Sequence, residues 1–252
     1  METLPACVSH LHLADLLPHQ PDCLERLRLA GEMAVSSCHS RTEVTLLADA
    51  LARDPRLAPL VGISFGIHPQ LPVRDEWEFL VELATGASPG AAGILPPPRL
   101  PRLVAIGECG FDFYLGREMA GPHGEALQEE IFLDQAHLAL ATGLPLVIHI
   151  RRATDLMFRH VRLLKRLPAL VFHAWPAPPE EGLALLRQGV NAWFSLGTPL
   201  LQGNKKAIRS LRQLPAERLL LETDAPYQTL KGQTFTGVEA LAAVRDEAAR
   251  LL

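Results

Sequence analysis

His10 and His12 stand one residue apart in an opening apolar run, "VSHLHLADLL". At strand spacing, residues i and i+2 face the same side, so the two imidazoles ask for a shared partner. The theme recurs along the chain. "IGECGFD" sets Glu108 behind an apolar run, "LVIHIR" carries His149 and Arg151, "LVFHAW" carries His173, and "LLLETDAPY" carries Glu222 and Asp224. Each group alone has a plain explanation. A single His at the end of an apolar strand is usually a hydrogen-bonded core residue, and Asp224 before Ala-Pro suits a turn cap. Together they do not. Four imidazoles and two carboxylates buried without a cation carry a large desolvation cost, which divalent ions remove. Nitrogen and oxygen donors without sulfur suit Zn²⁺, Mn²⁺, Mg²⁺, Co²⁺ or Ni²⁺ at a reactive centre, whereas structural zinc favours Cys. Six donors are too many for one tetrahedral ion with an open position. Two divalent ions sharing a carboxylate use them all, and Glu108 is the candidate bridge.

That ligand set dictates a hydrolytic chemistry. Two cations about 3.5–4 Å apart lower the pKa of a shared water to about 7. Asp224 is the group to orient that water and take its proton. Arg151 is the candidate phosphate fork, since a guanidinium pairs bidentately with phosphoryl oxygens; a salt bridge to a barrel-end carboxylate is its alternative role. His68, in "FGIHPQ", ends another apolar run and is expected to line the pocket beside substrate rather than to ligate. His123 reads as a solvated loop residue, and His19, His39, His137 and His160 as surface or ordinary packing.

Residues meeting at one point need a scaffold that brings distant chain segments together. Short runs rich in Val, Ile, Leu and Phe occur at 6–12, 32–38, 60–68, 102–110, 144–150, 169–175, 189–197 and 218–224, as buried parallel strands require. Helical periodicity fills the gaps at 21–31, 41–54, 75–86 and 124–143, and near 154–167, 179–188, 204–213 and 237–252. Eight strands alternating with helices predict an α/β fold of the (β/α)₈ TIM-barrel type, with 1–252 as one domain. A doubly wound open sheet is the alternative. Five of the eight strands deliver His, Glu or Asp at the same end, and a barrel gathers those ends into one mouth. Pro- and Gly-rich 85–102 and the stretch 113–124 after the fourth strand read as long loops.

Composition narrows the class. The chain has 252 residues, 48% of them hydrophobic, and a formal net charge of −4. That supports a sizeable core and argues against a broad basic footprint on duplex DNA. Cations at the pocket supply the missing positive charge, so any nucleic acid is expected to be engaged as a single strand or at an end. No apolar run approaches a membrane span of about 18 residues. The start "METLPACVSH" has no signal-peptide pattern, and four scattered cysteines suit reduced thiols, so a cytoplasmic protein is expected.

In combination these stretches resemble the TatD family of metal-dependent deoxyribonucleases, among the amidohydrolase-like metal barrels. The matching segments are "SHLHL" (9–13), "FGIHP" (65–69), "IGECGFD" (106–112), "FLDQAHLALATGLPLVIHIRRA" (132–153), "FHAW" (172–175), "FSLG" (194–197) and "RLLLETDAPY" (218–227). The resemblance implies a TIM barrel and a two-metal site that cleaves phosphodiester bonds of DNA. Carried over residue by residue, it implies that His10 and His12 bind the first metal, Glu108 bridges, and His149 and His173 hold the second. Asp224 then binds metal or water and acts as the base. Three departures stand out: Val8 where an Asp commonly precedes the His pair, "HAWPA" (173–177) for the usual His-Cys-Phe-Ser-Gly, and "QTLKGQTFTGVEAL" (228–241) for the usual Arg-Asn-x-Pro segment. The ligands are intact, so the departures bear on substrate. A metallohydrolase of small amides, lactones or phosphoesters is the alternative. Barrels of that kind often bridge their ions with a carboxylated Lys on the fourth strand, where this chain has Glu108.

Overall fold

The structure, a computed structural model, describes residues 7–86, 100–114, 116 and 124–252. Eight strands form one parallel sheet in sequential order: β1 Cys7–Leu11, β2 Met33–Cys38, β3 Val61–Phe65, β4 Arg102–Asp112, β5 Leu146–Arg151, β6 Leu170–Phe172, β7 Ala192–Leu196 and β8 Leu219–Leu221. The sheet curls until its edges meet. Ser9 Oγ donates to the Leu221 carbonyl at 3.0 Å, and Asp224 N–H reaches the His10 carbonyl at 3.3 Å. His12 N–H donates to the Ala225 carbonyl at 2.7 Å. The result is the expected (β/α)₈ architecture rather than an open sheet.

Ten α-helices occur among the described residues: α1 Leu13–Leu16, α2 Cys23–Ala30, α3 Arg41–Ala52, α4 Trp77–Thr85, α5 Glu125–Thr142, α6 Thr154–Arg159, α7 Val161–Leu164, α8 Pro179–Arg187, α9 Lys205–Gln213 and α10 Ala240–Leu251. Val44, Leu47, Ala48 and Leu51 form one stripe of α3, and all four are buried. Its start follows local chemistry. Ser40 accepts from Glu43 N–H, and the Glu43 carboxylate turns back to accept from His39 N–H at 2.7 Å, a form of capping box. The single helix expected near 154–167 is two, broken at His160, and the short α1 was not foreseen. The two expected long loops, with His123, fall largely outside the described residues.

Two irregularities in the sheet bracket ligand candidates. The β1–β2 register shifts between Val8 and Leu11, around His10. The β4–β5 register shifts between Ile106 and Cys109, around Glu108. Such bulges re-aim side chains beside active sites. In β4 the device depends on glycine. Gly107 and Gly110 take φ +126° and +135°, and a Cβ on either would lie 2.2 Å from the Val147 carbonyl oxygen or 2.1 Å from that of His149. Only a residue without a side chain lets β5 approach this closely while Glu108 turns inward.

Candidate metal centre

At the C-terminal mouth of the barrel, strands β1, β4, β5 and β6 and the segment after β8 converge on a cleft of about 550 Å³. Glu108 lies at its base, 2% exposed. Its two oxygens face two different sets of imidazoles. Oε2 is 3.3 Å from His10 Nε2 and 3.4 Å from His12 Nε2. Oε1 is 3.3 Å from His173 Nε2 and 3.4 Å from His149 Nδ1. Asp224 Oδ1 closes the first set, 3.3 Å from His10 Nε2 and 3.4 Å from His12 Nε2. The structure thus brings all six expected ligand candidates together.

The spacing fits a cation. Donors about 2.0–2.1 Å from one tetrahedral ion stand about 3.4 Å apart, a value that follows from the geometry alone. Nε2 of His10 and Nε2 of His12 approach to 3.3 Å with both carboxylates around them. Triads from this cluster, including His10–His12–Asp224 and His68–Glu108–His149, offer converging donor atoms. The electrostatics agree. Burial opposes charge on His10, yet the carboxylates of Glu108 and Asp224 outweigh it and hold the ring well above its ordinary range. Burial likewise opposes ionisation of Glu108, yet His10 and His173 keep it well below the usual carboxylate range. The centre is an anionic cradle that draws in positive charge.

Two more carboxylates, assigned no role from the sequence, hold the imidazoles from behind. Asp112 Oδ2 lies 3.0 Å from His149 Nε2 and also accepts from Gln70 Nε2 at 2.8 Å. Asp112 Oδ1 accepts from Tyr114 N–H at 2.8 Å. Burial works against the charged form of Asp112, but these three donors hold its carboxyl below the usual range. Burial also opposes charge on His149, and its two carboxylate neighbours reverse that, raising it to about 9. Glu222, fully buried, lies 3.2 Å from His173 Nδ1 and accepts from Ala174 N–H at 2.8 Å. A carboxylate on the far ring nitrogen orients a metal-ligating His and raises its basicity. No such partner serves the Nδ1 atoms of His10 and His12 among the described residues. The i, i+2 pattern of "ETD" therefore does not place two carboxylates in the cleft. The strand ends at Leu221, and Asp224 reaches the mouth with φ +54° while Glu222 sits beneath.

The remaining sequence expectations separate. His68 lines the cleft as expected. Its Nδ1 accepts from Gln70 N–H at 3.2 Å, so the neutral ring carries its proton on Nε2, 3.8 Å from Glu108 Oε1. Burial pushes His68 down to about 3. Arg151 also lines the cleft, but it forms no carboxylate pair among the described residues. Its guanidinium carbon sits 3.9 Å from the Tyr114 ring centroid, a cation–π arrangement that leaves the group at the cleft edge. His39 is a correction. The sequence pattern suggests surface or ordinary packing, yet the residue lines the cleft with Nε2 3.4 Å from Glu108 Oε2. It lies one residue past β2 in "SSCHS", where neither alternation nor a paired histidine marks it. His19 is exposed against Phe235, His137 is exposed, and His160 pairs with Glu129 at 2.7 Å, all as expected.

Comparison with known proteins agrees with this geometry. Residues 9–251 match the profile of the family described as TatD related DNase. The 3′-5′ ssDNA/RNA exonuclease TatD of Edwardsiella piscicida is 39% identical over 217 residues, 82% of this chain and 73% of that protein. Its counterpart in Escherichia coli (strain K12) is 32% identical over 167 residues, 64% of this chain and 56% of its own length. The crystal structure of YJJV, a TatD homologue from Escherichia coli K12, shares the fold with a TM-score of 0.76 at 23% identity, covering 98% of this chain and 90% of that one. An uncharacterized amidohydrolase from Saccharomyces cerevisiae follows at TM-score 0.65 and 20% identity, covering 99% and 82%. From its first His pair to its last helix, this chain belongs to the TatD-related DNase family of metal-dependent hydrolases acting on phosphodiester bonds.

Proposed function

We propose that this protein is a two-metal exonuclease that removes nucleotides from the 3′ end of single-stranded DNA, with RNA as a second substrate, and that one barrel carries the whole activity. The observation that supports this best is Glu108, whose Oε2 faces His10 and His12 while Oε1 faces His149 and His173. One carboxylate presenting each oxygen to a separate pair of imidazoles suits a bridge between two ions. His10, His12, Asp224 and Glu108 would hold the first, and His149, His173 and Glu108 the second. Zn²⁺, Mn²⁺ and Mg²⁺ are the candidates. Such cations supply a hydroxide nucleophile near neutral pH and positive charge for the phosphoryl oxygens.

The chain's own groups do the rest. Asp224, 8% exposed at the cleft wall, orients the attacking water through its carboxylate and takes up its proton. His68, a neutral ring with its Nε2 proton toward His149 Nδ1 at 3.4 Å, lines the cleft where it can turn that donor to a substrate oxygen. Arg151, exposed at the rim, can leave the Tyr114 face to fork a phosphate. Tyr227 lines the cleft half-exposed, with its ring edge-on to His12 at 5.1 Å and its hydroxyl tied to Asp15 at 2.9 Å. It offers a π-face to a terminal base. A local cleft of this kind on an acidic surface favours strand ends over a duplex footprint.

The four cysteines are unpaired, and three of them are buried. We place the protein in the reducing cytoplasm on that basis. Among the described residues no helix is long and apolar enough to cross a membrane.

End-labelled single-stranded oligonucleotides, incubated with protein of measured metal content, test the reading. A ladder shortening from the 3′ end, abolished by chelation and by Glu108→Gln, is the expected result. Intact oligonucleotide with every divalent ion tried, alongside turnover of lactones or amides, would overturn it.

A further inference from the structure

We infer that His39 is an additional metal ligand of this centre, giving the Oε2 side of Glu108 an extra nitrogen shared with His12. The inference rests on the two-metal reading above. Its basis is the way His39 is held. Its Nδ1 lies 3.1 Å from the Gly66 carbonyl oxygen. A carbonyl only accepts, so Nδ1 carries the proton and Nε2 of the neutral ring is a bare acceptor. That Nε2 is buried and makes no hydrogen bond, yet it stands 3.4 Å from Glu108 Oε2, itself an acceptor. Two acceptors facing each other in a buried site repel unless a positive charge lies between them, a proton on Nε2 in the free protein or a metal ion in the loaded one. His12, His39 and Glu108 indeed offer converging donor atoms, as the triad His10–His12–Asp224 does.

Nor is His39 a passing loop residue. Its ring is anchored by the Gly66 carbonyl and its backbone by Glu43, whose carboxylate accepts from His39 N–H at 2.7 Å within the α3 capping arrangement. Ser37, two residues earlier, places its hydroxyl 3.3 Å from the same Glu108 oxygen. The end of β2 therefore serves the centre as β1 does. A further imidazole shifts preference toward Zn²⁺ and Co²⁺ and away from Mg²⁺, which favours oxygen.

The test is metal binding, read apart from turnover. Wild type, His39→Ala and His39→Gln are loaded with zinc or cobalt and titrated against a chromophoric chelator, with circular dichroism as the folding control. The expected result is one ion equivalent weakened at least about tenfold in both variants, with altered visible Co²⁺ bands and reduced zinc-over-magnesium preference. In the wild-type protein, the long-range ¹H–¹⁵N spectrum of the histidine rings gives a second reading that no variant's folding affects: the Nε2 signal of His39 moves on adding zinc. Unchanged affinities and Co²⁺ bands in folded variants, or a stationary His39 signal, overturn this inference and leave the two-metal reading intact. Wild-type protein that takes up neither zinc nor cobalt overturns both.

Discussion

Glu222 lies 3.2 Å from Nδ1 of His173, and because a carboxylate accepts, that nitrogen carries the ring proton. Nε2 is thereby left bare toward Glu108 Oε1 at 3.3 Å. The same carboxylate oxygen accepts from Ala174 N–H, which steadies a residue at φ +42°. Glu222 is thus a positioning residue for both the ligand and the turn that follows it. Glu222→Ala is expected to weaken metal binding by about 10–100-fold. Glu222→Gln, which keeps an acceptor in place, should lose less. Chelator competition on the two variants measures the difference, and equal losses would mean that charge rather than orientation matters.

Asp224 allows a cleaner separation of chemistry from folding. It sits at φ +54°, where most side chains are strained but Asn and Asp are tolerated. Asp224→Asn should therefore fold with a melting temperature close to that of the parent. Its kcat on single-stranded oligonucleotides should fall by about 10²–10⁴-fold through loss of the base. Single-turnover assays at saturating metal test this.

Gly110 is predicted to be intolerant of any side chain. A Cβ there would sit 2.1 Å from the His149 carbonyl oxygen at a backbone φ of +135°. Gly110→Ala should cost about 2–4 kcal/mol in urea unfolding and displace β5 together with His149. A variant with parental stability would show that β5 can move aside freely.

The thiols give a prediction independent of metal. Cys7 is exposed, whereas Cys23, Cys38 and Cys109 are buried. Burial pushes Cys23 up to about 11 and Cys38 up to about 12, and raises Cys109 further. Thiolate is the reactive form. A disulfide reagent at pH 8 should modify one thiol quickly in native protein and all four only after denaturation.

Much of the fold could be read from the chain because buried parallel strands are short apolar runs and their helices carry caps and stripes. "SRTEVTLLADALA" shows both, and α3 runs within one or two residues of its expected bounds. The six ligand candidates were legible because five strand ends repeat the same donor types. What escaped is local geometry that no periodicity encodes. His39 lies past the end of β2, and its ring direction is set by a carbonyl 27 residues away in sequence. Asp112 and Glu222 look like any strand-end acids, and only the tertiary fold turns them behind a histidine. The break at His160 is a local backbone change, φ −98° and ψ 10° between the two helices, which the apolar pattern of 154–167 does not reveal.

The seam between β1 and β8 joins the histidine pair nearest the start of the chain to the segment that carries the aspartate, His10 accepting from Asp224 N–H and His12 donating to the Ala225 carbonyl. Half of the ion cradle is therefore supplied by sequence that a ribosome makes more than two hundred residues after the other half. A nascent chain holds the early imidazoles without their closing carboxylate, so the hydrolytic capacity proposed here can arise only once synthesis has passed Asp224.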